Sequence, residues 1–383
     1  MATVVTLVGG ARPNFVKLAP LYRALRRRVQ FDVRLVHTGQ HYDEAMAGSF
    51  FKELDLPKPH AALNVGSGSH AAQTARLLEG FEDHLRVSRP DIVVVVGDVN
   101  STMACALAAA KTRYQDGRRP LIAHVEAGLR SFDRSMPEEI NRMLTDALAD
   151  YLFVSERSGA DNLRREGRAA DCVFMVGNVM IDTLLAHVEE ACGRRPWRQL
   201  GVPRRGYALV TLHRPSNVDD LESLAGLWEA LGLVSSRLPV VFPVHPRTRD
   251  RLQAAGLSAP RGVHVCDPQP YVSFLGLLSG ARVVLTDSGG VQEETTAVGV
   301  PCLTLRENTE RPITTILGTN RVIGVDVTKI VAAVDEVLAA PMPAKPSLPL
   351  WDGRAAERIA SILERDAAMG RMSAVDRALA TTE

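Results

Sequence analysis

Three short segments bring carboxylates to places where a proton could be moved. They are Gly97-Asp98-Val99-Asn100-Ser101-Thr102, His124-Val125-Glu126-Ala127-Gly128-Leu129-Arg130 and Pro137-Glu138-Glu139-Ile140-Asn141-Arg142. Asp98 and Glu126 follow the apolar runs Ile92–Val96 and Leu121–Ala123, which read as short strands of a buried parallel sheet. Both acids therefore emerge at carboxyl ends of strands, where open α/β sheets bind ligands. Neighbouring carboxylates push their pKa values apart, so a cluster of this kind can offer an acid and a base at neutral pH.

Anion-binding chemistry is spread along the rest of the chain. The turn Gly9-Gly10-Ala11-Arg12-Pro13-Asn14, with Lys17 one turn into the next helix, lets backbone and cations approach a phosphate, although a tight turn with two solvated cations is the plain alternative. It lacks the dinucleotide G-x-G-x-x-G spacing, so no nicotinamide cofactor follows. Thr286-Asp287-Ser288-Gly289-Gly290-Val291-Gln292-Glu293-Glu294 runs from a strand through a Gly-Gly turn into a helix. Ser288 and the free N–H groups there suit a diphosphate, and Glu294 one turn on suits the two hydroxyls of a ribose. The structural alternative is a simple N-cap and a surface acid. Arg311, in Thr309-Glu310-Arg311-Pro312, adds a cation suited to phosphate. His213 ends one strand as a candidate acid, base or charge stabiliser, and His245 follows the next strand as a candidate substrate contact. Neither has metal-ligand spacing with a carboxylate or cysteine, so no metal is expected.

The elements that must hold these residues are short β-branched runs alternating with amphipathic helical stretches. Val4–Val8, Val33–His37, Ile92–Val96, Leu121–Val125, Tyr151–Val154 and Val173–Val176 form a first set of strands. Tyr207–Leu212, Val240–Val244, Val263–Cys266, Val283–Thr286, Cys302–Leu305 and Val322–Val325 form a second. The pattern predicts an α/β fold of two doubly wound Rossmann-like domains, with a seam near Gly177-Asn178. The expected division is 1–177, 178–353 and a terminal helical segment, 354–383, that packs back on the first domain. A chain of 383 residues exceeds the usual single-domain size. Lys plus Arg (45) nearly balances Asp plus Glu (44), which gives no field favouring nucleic acid or a membrane surface. No apolar run is long enough to span a bilayer, and Met1-Ala2-Thr3 leads directly into a strand rather than a secretory signal. Five cysteines without a C-x-x-C pair point to neither disulfides nor zinc, and to a cytoplasmic protein.

Taken together in order, Gly9-Gly10-Ala11-Arg12-Pro13, Gly39-Gln40-His41-Tyr42-Asp43, Gly97-Asp98, His124 to Arg130, Pro137 to Arg142, Val176-Gly177-Asn178 and Thr286 to Gly290 resemble the non-hydrolysing UDP-N-acetylglucosamine 2-epimerases. The resemblance implies a GT-B type fold with the two domains facing a cleft, a homodimer, a UDP-sugar substrate and no cofactor. It implies catalytic roles for Asp98, Glu126, Glu138 and His213, and nucleotide binding by Arg12, Lys17, Ser288, Gly289, Gly290, Glu294 and Arg311. The implied reaction is elimination and re-addition of UDP, with the hydrogen on sugar carbon 2 removed from one face and returned to the other.

The chain departs from the family pattern at several points. Ala11 and Val99 stand where threonines are usual, and Ser216 stands where a glutamate is usual. The segment Gln40-His41-Tyr42-Asp43-Glu44-Ala45-Met46 lacks the Gln-His-Arg of members activated by a second substrate molecule. That segment, with Ser131-Phe132-Asp133-Arg134-Ser135-Met136, is similar to a branch that includes epimerases of UDP-diacetamido-glucuronate, which leaves the sugar open. Hydrolysing relatives carry His-Gly-Gly-Glu where this chain has His124-Val125-Glu126-Ala127. A GT-B glycosyltransferase remains an alternative, although three carboxylates exceed its need for one base.

Overall fold

A computed structural model of the chain describes residues 2–39 and 51–370, so the segment from Gln40 to Met46 lies outside the described residues. The strand-forming power of the β-branched runs is realised in two parallel sheets. Among the described residues seven strands form the first: β1 (Thr3–Gly9), β2 (Phe31–His37), β3 (Ala61–Ala62), β4 (Ile92–Val96), β5 (Leu121–Val125), β6 (Tyr151–Val154) and β7 (Val173–Met175). Their order is β3-β2-β1-β4-β5-β6-β7. The second sheet has β8 (Ala208–Thr211), β9 (Val240–Pro243), β10 (Val263–Cys266), β11 (Val283–Thr286), β12 (Cys302–Thr304) and β13 (Asn320–Val322), in the order β10-β9-β8-β11-β12-β13. Each sheet is doubly wound, giving two Rossmann-like domains.

The central strands have no polar face. All five residues of β4 and all five of β5 are buried, as required when helices cover both sides of a parallel sheet. Each order reverses direction once, between β1 and β4 in the first sheet and between β8 and β11 in the second. Those reversals leave a crevice at the carboxyl ends of the strands, the place where such sheets take ligands.

The described residues of Met1–Thr183 and Pro349–Glu383 form one compact unit, and those of Leu184–Leu348 form the other. In the first unit the terminal helix Ala355–Ala368 is tied to the helix Arg12–Arg26 and the turn after it. Arg28 bonds Glu357 at 3.1 Å and Glu364 at 3.0 Å. Asp182 accepts the N–H groups of Ala355 and Ala356 at 3.1 and 2.7 Å, capping that helix, and burial pushes its carboxyl up to about 6. The second unit packs Leu224, Leu227, Trp228 and Leu231 of one helix against β8, β9 and β11.

Two strands differ from the sequence reading. β3 is two residues long and too short to show periodicity, and the last strand lies at Asn320–Val322 rather than Val322–Val325. There the buried Asn320 bonds Thr304 Oγ1 at 2.6 Å, a polar contact that hydrophobicity does not report. Among the described residues no helix is long and apolar enough to cross a membrane.

Candidate active site

In the first unit the site grows from the turn after β1. The Asn14 Oδ1 accepts the N–H groups of Gly10 and Ala11 at 3.1 and 3.0 Å, while its Nδ2 donates to the Val96 carbonyl at 3.2 Å. One side chain thus joins the turn after β1 to the end of β4, across the reversal. Lys17, on the same helix, is buried and forms an ion pair with the buried Glu126 at the end of β5. Its Nζ lies 3.0 Å from where a Cβ at Gly97 would sit, and Gly97 has φ of +69°, so this turn needs glycine twice over. Arg12 is half-buried beside Glu53, and burial lowers the affinity of its guanidinium for the proton.

Glu126 occupies a left-handed conformation, φ +75°, uncommon for a residue with a side chain. The N–H groups of Glu126 and Ala127 both donate to the Phe153 carbonyl at 3.0 Å, which holds the bend. Gly128 follows at φ +77°, where a Cβ would collide with the Gly159 carbonyl. Strain kept in place by surrounding bonds is characteristic of functional turns.

Asp98 follows β4 and pairs with Arg142 Nη1 at 2.5 Å. Arg142 is also held by Glu139 at 2.7 Å, and Glu139 accepts from Ser131 N and Phe132 N, each at 3.0 Å. Burial opposes the charge on Glu139, but these donors outweigh it and keep its carboxyl below the usual range. Of the two adjacent acids, then, Glu139 is the buried anchor. Glu138 is half-buried on the first turn of the helix Pro137–Leu148, where the helix dipole favours a negative charge. Asn141 Nδ2 donates to the Asp98 carbonyl at 2.9 Å.

In the second unit His213 follows β8 and Asp287 follows β11, on the two sides of that sheet's reversal. His213 Nδ1 lies 2.9 Å from Asp287 Oδ1, with Asp287 wholly buried and the histidine half exposed. Asp287 also accepts the N–H groups of His213 and Arg214 at 3.0 and 2.9 Å. Burial disfavours its charge, yet His213 and these N–H groups prevail and hold the carboxyl below the ordinary range. The ion pair and the backbone bonds to Asp287 fix the half-exposed ring. His245 is exposed and caps the helix Pro246–Ala254, its Nδ1 accepting from Arg247 N at 3.3 Å.

Ser288 sits at the N-cap position of the helix Gly289–Val298, but its side chain makes no cap bond; its N–H donates to Thr286 Oγ1 at 2.9 Å. Gly290 is half-buried in the first turn. Glu294 is buried against Tyr271, whose hydroxyl donates to it at 3.1 Å, and burial pushes its carboxyl up to about 7. Arg311 is buried and bonds Glu293 at 2.7 Å. Glu310 comes within 2.6 Å of a Cβ placed on Gly289, and Arg311 within 3.7 Å, so both support that turn from behind. Among the described residues no cluster of three or more histidines, cysteines or acids could hold a metal ion.

A family model described as UDP-N-acetylglucosamine 2-epimerase matches residues 23–364. The chain belongs to the UDP-N-acetylglucosamine 2-epimerase family. It is 41% identical to the UDP-N-acetylglucosamine 2-epimerase of Methanocaldococcus jannaschii over 369 residues, covering 94% of this chain and 98% of the relative. It is likewise 41% identical over 325 residues to the UDP-2,3-diacetamido-2,3-dideoxy-D-glucuronate 2-epimerase of Pseudomonas aeruginosa, covering 84% and 88%. A crystal structure of the Methanocaldococcus jannaschii UDP-GlcNAc 2-epimerase in complex with UDP-GlcNAc and UDP matches with a TM-score of 0.87 at 39% identity, covering 95% of this chain and 100% of that one.

Within this epimerase-family chain the structure adds residues that the sequence reading did not single out. Asp287 orients His213, Glu139 and Arg142 hold Asp98, and His124 and Asp146 lie beneath the carboxylates. The signals existed. His124 interrupts the apolar run of β5, and Asp287 directly follows a strand paired with β8. Their weight depended on knowing which strands are neighbours.

Proposed function

We propose that the chain is a non-hydrolysing 2-epimerase of a UDP-2-acetamido sugar, interconverting UDP-N-acetylglucosamine and UDP-N-acetylmannosamine. The observation carrying this reading is the placement of Asp98 and Glu126 at the ends of β4 and β5, paired strands in which Val96 lies opposite Val125, with Lys17 bonded to Glu126. Glu138 supplies a third carboxylate nearby in sequence. Two faces of one carbon need at least two acid–base groups, and this unit has them.

In the proposed reaction the bond between sugar carbon 1 and the β-phosphate oxygen breaks and its electron pair leaves with UDP. Oxocarbenium character at carbon 1 acidifies the hydrogen on carbon 2, which a carboxylate removes as a proton. A carbon 1–carbon 2 double bond forms, giving a 2-acetamidoglucal and UDP. On return the phosphate oxygen attacks carbon 1 while a second carboxylic acid protonates carbon 2 from the other face. The hydrogen leaves and returns as a proton, so the electron count needs no oxidant or reductant.

Arg12, Lys17 and His213 stabilise the growing diphosphate charge, and Asp287 keeps the His213 ring oriented for it. Ser288, Gly289, Gly290 and His245 serve the diphosphate and nucleotide, and Glu294 the ribose. Arg311 acts by holding the Gly289 turn, consistent with its bond to Glu293. A second sugar, UDP-2,3-diacetamido-2,3-dideoxy-D-glucuronate, is supported by the Pseudomonas relative at the same identity. The test is proton NMR of the purified protein with both UDP-sugars, following the coupling between the hydrogens on carbons 1 and 2. Inversion is expected with at least one, and inversion with neither refutes the reading. The family resemblance also supports a homodimer, expected to scatter light at twice the chain mass.

A further inference from the structure

Below the two strand-end acids lies a buried pair of side chains, His124 and Asp146. His124 on β5 is wholly buried, and Asp146 on the helix Pro137–Leu148 is 1% exposed. The His124 Nε2 lies 2.8 Å from the Gly97 carbonyl, and its Nδ1 lies 2.6 Å from Asp146 Oδ1. A carbonyl can only accept, so Nε2 carries the hydrogen that meets Gly97. The other oxygen of Asp146 accepts the Gly128 N–H at 3.0 Å and Arg130 Nη2 at 2.7 Å. Arg130 is fixed in turn by two bonds to Glu166, at 2.8 and 2.6 Å. The chain Gly97–His124–Asp146–Gly128 therefore ties the turn bearing Asp98 to the turn bearing Glu126. In the second of these turns Glu126, a non-glycine residue, sits at φ +75°, a conformation that persists only where bonds hold it.

We propose that His124 and Asp146 are a positioning couple that keeps the Asp98 turn in register with the Glu126 turn. The role rests on the 2-epimerase reading for its kinetic consequence but not for its structural one. Register between two proton-transfer groups matters because a displacement of an ångström at a reacting centre lowers rates ~100-fold.

The atoms of the couple allow a clean separation of shape from charge. Asp146→Asn can turn its amide N–H to His124 Nδ1 and its oxygen to Gly128 and Arg130, so every bond of the couple survives without the charge. Asp146→Ala removes the link, and His124→Asn can still reach Asp146 but not Gly97. The experiment measures steady-state epimerisation, UDP binding, and amide hydrogen exchange of the peptide covering residues 97–100 in all three variants. Protection of the buried strand β4 serves as the check on folding.

His124→Asn and Asp146→Ala are expected to lower kcat ~100-fold with KM and UDP affinity within about threefold of the parent. Exchange at residues 97–100 should quicken by ~10-fold in both. Asp146→Asn should stay within about threefold in kcat, with parental exchange. An Asp146→Asn variant as impaired as Asp146→Ala would overturn the couple in favour of a charge effect. So would His124→Asn with parental kcat and exchange. If the parent inverts no UDP-sugar, the 2-epimerase reading fails by itself and the exchange pattern alone decides the couple: unchanged exchange in His124→Asn and Asp146→Ala then overturns it.

Discussion

Replacing Lys17 by methionine tests how the first unit tolerates its buried acid. The side chains of Lys17 and Glu126 are 7% and 4% exposed and bonded to each other. Methionine keeps most of the volume and removes the charge, stripping the buried Glu126 of this cation. Breaking a buried pair by deleting one partner costs about 3–5 kcal/mol, on the order of 100- to 10,000-fold in the folded-to-unfolded ratio. Amide exchange of β4, whose five residues are buried, reports opening of this unit and is compared between variant and parent. Lys17→Met/Glu126→Gln should recover part of the deficit without turnover. A deficit below about 1 kcal/mol, or no recovery in the double variant, refutes the reasoning.

Five other substitutions follow from the same geometry. Asp98→Asn, Glu126→Gln and Glu138→Gln should each lower turnover ~100- to 10,000-fold with UDP affinity nearly intact, and parental kcat in any one removes that residue from proton transfer. Asp287→Asn should lower kcat ~100-fold by releasing the His213 ring. Because the folded-state pKa of Asp287 is depressed, its stabilisation is present above its ordinary value of 3.8 and lost as pH falls through the lower folded value. Thermal melts of the variant from pH 2 to 7 should therefore lack that acid-side slope. Glu294 behaves oppositely: its folded-state value of about 7 exceeds the ordinary 4.5, so the stability it confers declines as pH rises from 4.5 through 7. Glu294→Gln should flatten the melting temperature across that range, and an unchanged slope would show that another group titrates there.

The sequence showed the strands because β-branched runs such as Ile92–Val96 have one reading in a parallel sheet. It pointed to Asp98, Glu126, His213 and Ser288 because each of them follows a strand end, where sheets of this kind take ligands. It hid what depends on which strand lies beside which. Asp287 matters because β11 pairs with β8, and the order of strands is a long-range property. The division of labour between Glu138 and Glu139 was likewise hidden, since adjacent residues on a helix differ by rotation alone and the buried one is set by Arg142 and Ser131. Arg311 looked like a free cation in a loop, whereas its guanidinium is spent on Glu293. The aliphatic pattern of Cys302–Leu305 marked β12 without indicating that Asn320 would lead the next strand.

The central claim is that the hydrogen on sugar carbon 2 leaves as a proton while UDP departs from carbon 1. Its most direct test runs the reaction in deuterated water with UDP-N-acetylglucosamine and, in parallel, the diacetamido-glucuronate sugar, to full equilibration, with carbon 2 read by NMR. Elimination and re-addition predict one deuteron at carbon 2 of the epimerised product, because removal and return use different faces and exchange with solvent between them. An epimerised product that retains protium at carbon 2 would contradict it.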